Sequence, residues 1–167
     1  MKKQFLFLYI ISTIFAFAND TFTLQTIDDN NITVNTQNGK MVFNEYNDSV
    51  VILLFFGHNC KPCLHEIPTL KKLMDKKYKD LKLLAFDIHG YDKNDLEKFK
   101  KEHKINYNLL TRKENMKFIK LIKVKAKWRG SLPFIVVFDK KGEPKLAHRG
   151  SLSFAKFEKI YEALKHL

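Results

Sequence analysis

The run VVILLFF, Val50 to Phe56, constrains this chain more than any other stretch of its 167 residues. Seven consecutive apolar residues, rich in β-formers, leave no polar face for water, so the strand they form must be covered on both sides. That requirement asks for a largely parallel sheet buried between layers. The next residues supply a cover: Leu64, Ile67, Leu70, Leu73 and Met74 recur at spacings of three and four, the buried stripe of a helix. Leu81 to Ile88 is then a second buried strand, so residues 50–88 make a strand-helix-strand unit.

The rest of the chain extends this alternation. Phe22 to Val34, with polar Asp28-Asp29-Asn30-Asn31 at its centre, reads as a hairpin or as two short extended pieces, and Asn35 to Asn47 is ambiguous. Asp92 to His103 is a helix with Asp92 as N-cap. Asn106 to Leu110 is expected to be extended, and Glu114 to Ile122 a short helix with Phe118, Leu121 and Ile122 inward. Phe134 to Phe138 is an apolar strand that turns through Asp139-Lys140-Lys141-Gly142 into Lys145 to Arg149. Phe154 to Leu167 closes the chain as a helix with Phe157, Ile160, Tyr161 and Leu164 on one stripe. The sum is an α/β plan of three layers in one domain.

The N-terminus indicates the compartment. Met1-Lys2-Lys3 is basic, Phe5 to Phe17 is almost wholly apolar, and Ala16-Phe17-Ala18 has the small-x-small form of a cleavage site. Residues 1–18 therefore read as a signal peptide cleaved after Ala18, and residues 19–167 as the mature domain. An uncleaved anchor is the alternative, but an apolar run of about 14 residues falls short of the roughly 20 that span a bilayer. No cysteine lies near the site to carry a lipoprotein anchor. Cleavage removes Lys2 and Lys3, so the formal charge falls from +12 to +10. The lysines around Leu96 and Phe99 (Lys98, Lys100, Lys101, Lys104) read as the solvated face of an amphipathic helix, and no nucleic-acid motif accompanies them.

Both cysteines of the chain fall in FFGHNCKPCLHEIP, Phe55 to Pro68. The strand delivers Cys60 to the start of the next helix, where unpaired N–H groups and the positive end of the dipole stabilise a thiolate. Lys61 adds a full charge beside it. In such settings a thiol pKa falls from about 8.5 to roughly 3.5–7.5. Cys60 is thus the expected nucleophile, exposed. Pro62 suits the first turn, where its missing N–H costs nothing. Helical spacing brings Cys63, one turn in under Leu64 and Ile67, back to Cys60 as the resolving thiol. Glu66, one turn after Cys63, is expected along the buried side, where a carboxylate disfavours a thiolate and can carry protons; an ordinary exposed first-turn glutamate is the alternative.

Two other readings of the cysteines compete. As a staple, a loop of about four residues would gain only about 2 kcal/mol. As a metal site for copper or zinc delivery, the pair would draw on His58 and His65, but His65 lies two residues beyond Cys63 and so on the other side of the helix.

These features together resemble the thioredoxin fold and, within it, the TlpA/ResA/CcmG group of exported thiol-disulfide oxidoreductases. The apolar strand, CKPC, Glu66 and Pro68 match, and GSLPFIVVFDKKG resembles the segment carrying that family's cis-proline before a hairpin. The resemblance covers Phe22 to the C-terminus. It implies a central mixed sheet with helices on both faces and an N-terminal β extension. It implies a cis bond at Pro133 that lays the Leu132 backbone beside the cysteines to receive substrate, with Lys61, Pro62 and Leu132 positioning it. It implies no cofactor beyond the Cys60–Cys63 disulfide, a monomer, and a periplasmic reductant of disulfide-bearing clients such as apocytochrome c, itself reduced by a membrane carrier of the DsbD/CcdA kind. A Dsb-type oxidase or isomerase is the alternative. Two departures bear on substrate fit: Asn59 stands where an aromatic residue usually precedes the first cysteine, and Leu132 where Thr or Val is common.

Overall fold

The computed structural model describes residues 19–167; the leader assigned to residues 1–18 lies outside them. The central sheet grows from the apolar run, which forms β4 (Val50–Phe56) over its whole length, every residue buried. On one side β4 pairs in parallel with β5 (Leu81–Asp87), which pairs in parallel with β6 (Asn108–Leu110). On the other it pairs antiparallel with β7 (Phe134–Phe138), which turns into β8 (Pro144–Arg149). The order is β6-β5-β4-β7-β8.

Side-chain alternation splits β4 between two cores. Val50, Ile52, Leu54 and Phe56 face a layer made by α1 (Lys61–Asp75), α2 (Lys93–Glu102) and α4 (Phe154–Leu164). Val51, Leu53 and Phe55 face α3 (Met116–Lys125) and a separate antiparallel sheet of β1 (Thr21–Gln25), β2 (Asn31–Gln37) and β3 (Lys40–Phe43). This is the three-layer arrangement that the resemblance implies, with its N-terminal β extension. The Asn35–Asn47 segment that sequence leaves ambiguous holds the end of β2, β3 and a short 3-10 turn, Asn44–Tyr46.

Helix boundaries follow local chemistry. Asp92 caps α2 by accepting from the Asp95 amide, 2.9 Å, and Ser153 caps α4 through the Lys156 amide, 3.4 Å. The helix expected from Glu114 starts two residues later, at Met116, because Asn115 is spent elsewhere: its amide oxygen accepts from Gln25 N–H and its Nδ2 donates to the Gln25 and Thr111 carbonyls. The buried stripe of α3 is Phe118, Ile119 and Ile122, while Leu121 is half-buried at the rim. The β extension is tied down by Ile27 N–H to the Leu109 carbonyl, 2.9 Å, and by Met41 N–H to the Gly142 carbonyl, 2.8 Å.

Candidate functional site

At the carboxyl end of β4 the chain reverses through Gly57-His58-Asn59-Cys60, closed by Cys60 N–H to the Gly57 carbonyl, 3.0 Å. A side chain at position 57 would meet the His89 ring as it stands, so the turn and that ring are packed closely together. Cys60 is the extended N-cap residue of α1, and its carbonyl accepts the first helical bond, from Leu64 N–H, 3.0 Å. Lys61 and Pro62 occupy the exposed first turn. Cys63, one turn in, is 4% exposed against half-buried Cys60; their Cα atoms are 5.2 Å apart and their sulfurs are bonded. Of the two residues, Cys60 is the more exposed.

Opposite Cys60 lies the start of β7. The register Phe55↔Phe134 sets Pro133 across from Phe56, one residue before the Gly57 turn, and the Leu132–Pro133 bond is cis. Residues 150–152 strap this proline segment to α1. Gly150 N–H donates to the Pro133 carbonyl, 2.8 Å; the Ser151 hydroxyl donates to the Pro62 carbonyl, 3.4 Å; and Leu152 N–H donates to Glu66 Oε1, 2.7 Å. Leu132 itself makes no backbone hydrogen bond among the described residues, which leaves an N–H and a C=O beside the dithiol.

Glu66 is buried, at 3% exposed, so the surface alternative fails. Oε1 holds the Leu152 amide, but Oε2 has no partner among the described residues. Burial pushes the carboxyl from its ordinary 4.5 up to about 7, against the lowering effect of the Leu152 N–H. The neighbouring Tyr107 hydroxyl is raised in turn by its own burial and by the Glu66 charge.

The sequence reading missed a second polar cluster beside the cysteines. Asp87, the last residue of β5 and 0% exposed, accepts from the backbone N–H of His58 (3.0 Å), Gly90 (2.8 Å) and Tyr91 (2.8 Å). The His58 ring lies 3.2 Å from the same carboxylate through Nδ1 and stacks on Tyr91, centroids 3.4 Å apart and 2° from parallel. Asp87 therefore pins the His58 turn that presents Cys60. Its only sequence signal is a single acid ending an apolar strand. His89 reaches Asn59, the residue before the first cysteine, through Nδ1. Trp128 packs flat on Phe134, 5.0 Å and 5°, touches Phe55, and donates from Nε1 to the Ser131 carbonyl, 2.8 Å, bracing the proline segment from behind.

The metal reading finds little to build on. His58 is committed to Asp87, and His65 is exposed while Cys63 is buried. Among the described residues no group of three or more His, Cys, Asp and Glu side chains is arranged to hold a metal ion.

Comparisons with known proteins agree with this geometry. The thiol-disulfide oxidoreductase ResA of Geobacillus kaustophilus (strain HTA426) is 27% identical over 122 residues, 72% of this chain. The chain spans 66% of that curated relative's length, just under two thirds. Among solved structures, a thioredoxin-family thiol:disulfide interchange protein from Chlorobium tepidum TLS superposes with a TM-score of 0.67 at 18% identity, covering 87% of this chain and 93% of its own. StoA from Bacillus subtilis gives 0.64 at 18%, covering 85% and 96%. These likenesses show the thioredoxin-like fold. The AhpC/TSA family model matches residues 18–145, most of the sequence, and the chain belongs to that family.

Proposed function

We propose that the protein is an exported thiol-disulfide oxidoreductase that reduces disulfides in client proteins. The observation that carries the reading is the asymmetry of the pair: half-buried Cys60 at the α1 N-cap, buried Cys63 behind it. In the reduced protein the Cys60 thiolate attacks one sulfur of the client disulfide and expels the other as a thiolate, leaving a Cys60–client mixed disulfide. Cys63 then gives up its proton and attacks Cys60 Sγ. The second client thiol leaves, Cys60–Cys63 closes, and two electrons have passed to the client. Glu66 takes the Cys63 proton through Oε2. The Leu132 N–H and C=O receive an extended client segment as an added strand, with Pro133 fixing that edge and Lys61 and Pro62 framing its approach.

The ResA relative and the basic-apolar N-terminus support a periplasmic setting, with residues 1–18 as a leader removed from a monomeric 19–167 domain. The client we favour is an apocytochrome c, and the electron source a membrane dithiol carrier of the DsbD/CcdA kind. The reduction potential tests the direction. A value near that of thioredoxin, about −270 mV, is expected; one near DsbA, about −120 mV, would make the protein an oxidase.

A further inference from the structure

Much of the domain's net charge lies on α3 and the segments that flank it. Residues 111–129 carry eight of its lysines and arginines and a single acid, Glu114, for a net +7 out of +10 over residues 19–167. All eight cations are exposed, and none forms an ion pair among the described residues. Elsewhere several lysines are neutralised: Lys93, Lys100, Lys140 and Lys145 each reach a carboxylate within 3.1 Å. Helical spacing places Lys117, Lys120 and Lys123 on the side of α3 away from its buried Phe118, Ile119 and Ile122, and among them Val124 stands 75% exposed.

A cationic face with an apolar residue at its centre is the pattern of a surface that rests on anionic lipid. The first strand of the domain packs beside this helix. Asp20 lines a cleft of about 640 Å³ together with Leu121, Ile122 and Lys125 of α3, and Phe22 packs edge-on against Phe118, centroids 5.7 Å apart. No helix among the described residues is long and apolar enough to cross a membrane, so any hold on the bilayer by residues 19–167 is peripheral. We propose that the exposed face of α3, with Lys113, Lys117, Lys120, Lys123 and Val124, is a docking surface for an anionic phospholipid bilayer. Because α3 covers the face of the sheet opposite α1, a domain seated on it keeps the Cys60 helix on its free side.

Vesicle co-sedimentation of the mature domain, residues 19–167, tests this. Phosphatidylcholine vesicles measure binding to an uncharged surface, and vesicles containing phosphatidylglycerol measure the increment that charge adds. Replacing Lys113, Lys117, Lys120 and Lys123 together by Gln should cut the increment by roughly 10-fold or more, and salt should abolish it. The same number of neutralisations elsewhere, Lys79→Gln, Lys98→Gln, Lys101→Gln and Lys141→Gln together, should leave most of it. Thermal midpoints of both variants establish that each is folded. Equal losses in the two variants would overturn the proposal, since net charge alone would then explain binding. Partitioning indifferent to phosphatidylglycerol, with tight binding to polyglutamate instead, would overturn it in favour of an acidic protein partner.

Discussion

Glu66→Gln isolates the electrostatic cost of the buried carboxyl. Between an ordinary pKa of 4.5 and a folded value of about 7 lie roughly 2.5 pH units, and at about 1.36 kcal/mol per unit the difference is on the order of 3 kcal/mol. The folded value is the raised one, so the native state binds the proton more tightly than the unfolded chain. Stability is fully present below about pH 4.5, falls as pH rises towards 7, and is flat above. Gln fills the same space, keeps an oxygen for the Leu152 amide and cannot ionise. The oxidised variant should match the parent near pH 4.5 and exceed it by up to about 3 kcal/mol at pH 8. Urea unfolding of both proteins at pH 4.5, 6 and 8 measures this, and the difference between them cancels every other titrating group. A difference independent of pH would refute the argument. In the reduced protein, removing this charge should also lower a thiol pKa, read from the pH dependence of iodoacetamide alkylation.

Substitutions at three other positions probe the packing around and beyond the dithiol. Asp87→Asn leaves one acceptor for three backbone N–H groups and the His58 ring, and should lower stability by about 2–4 kcal/mol in urea unfolding. Trp128→Phe keeps the stack on Phe134 but loses the bond to Ser131, an expected cost of about 1 kcal/mol, whereas Trp128→Ala should cost about 3–5 kcal/mol. Gly142→Ala places a side chain at φ +75° against the Met41 carbonyl, and a loss of about 2–4 kcal/mol with faster proteolysis of the β1–β3 sheet is expected.

What could be read from sequence and what could not divides along the range of the interactions. Continuous apolar strands and helical stripes are local patterns, so β4, β5, β7, α1 and α4 were legible, and so was the placement of Cys60 at a helix start. Glu66 was legible because its relation to Cys63 is one turn of one helix. Asp87 was not: the amides it holds include that of His58, 29 positions away in the chain, and only the parallel pairing of β4 with β5 brings them together. The β3 strand was obscured because its four residues, Lys40 to Phe43, alternate buried and open positions too briefly to form a period. The basic character of α3 was visible as residues, but its freedom from ion pairs appears only once the acids of other elements are placed.

The central claim is that Cys60 attacks a client disulfide and Cys63 releases the product. Its most direct test is covalent trapping in cells that express Cys60→Ser or Cys63→Ser, with adducts isolated without reductant and identified by mass spectrometry. Cys63→Ser should accumulate mixed disulfides through Cys60, prominently with an apocytochrome c, and Cys60→Ser should accumulate almost none. Equal trapping by the two variants, or none by either, would contradict it.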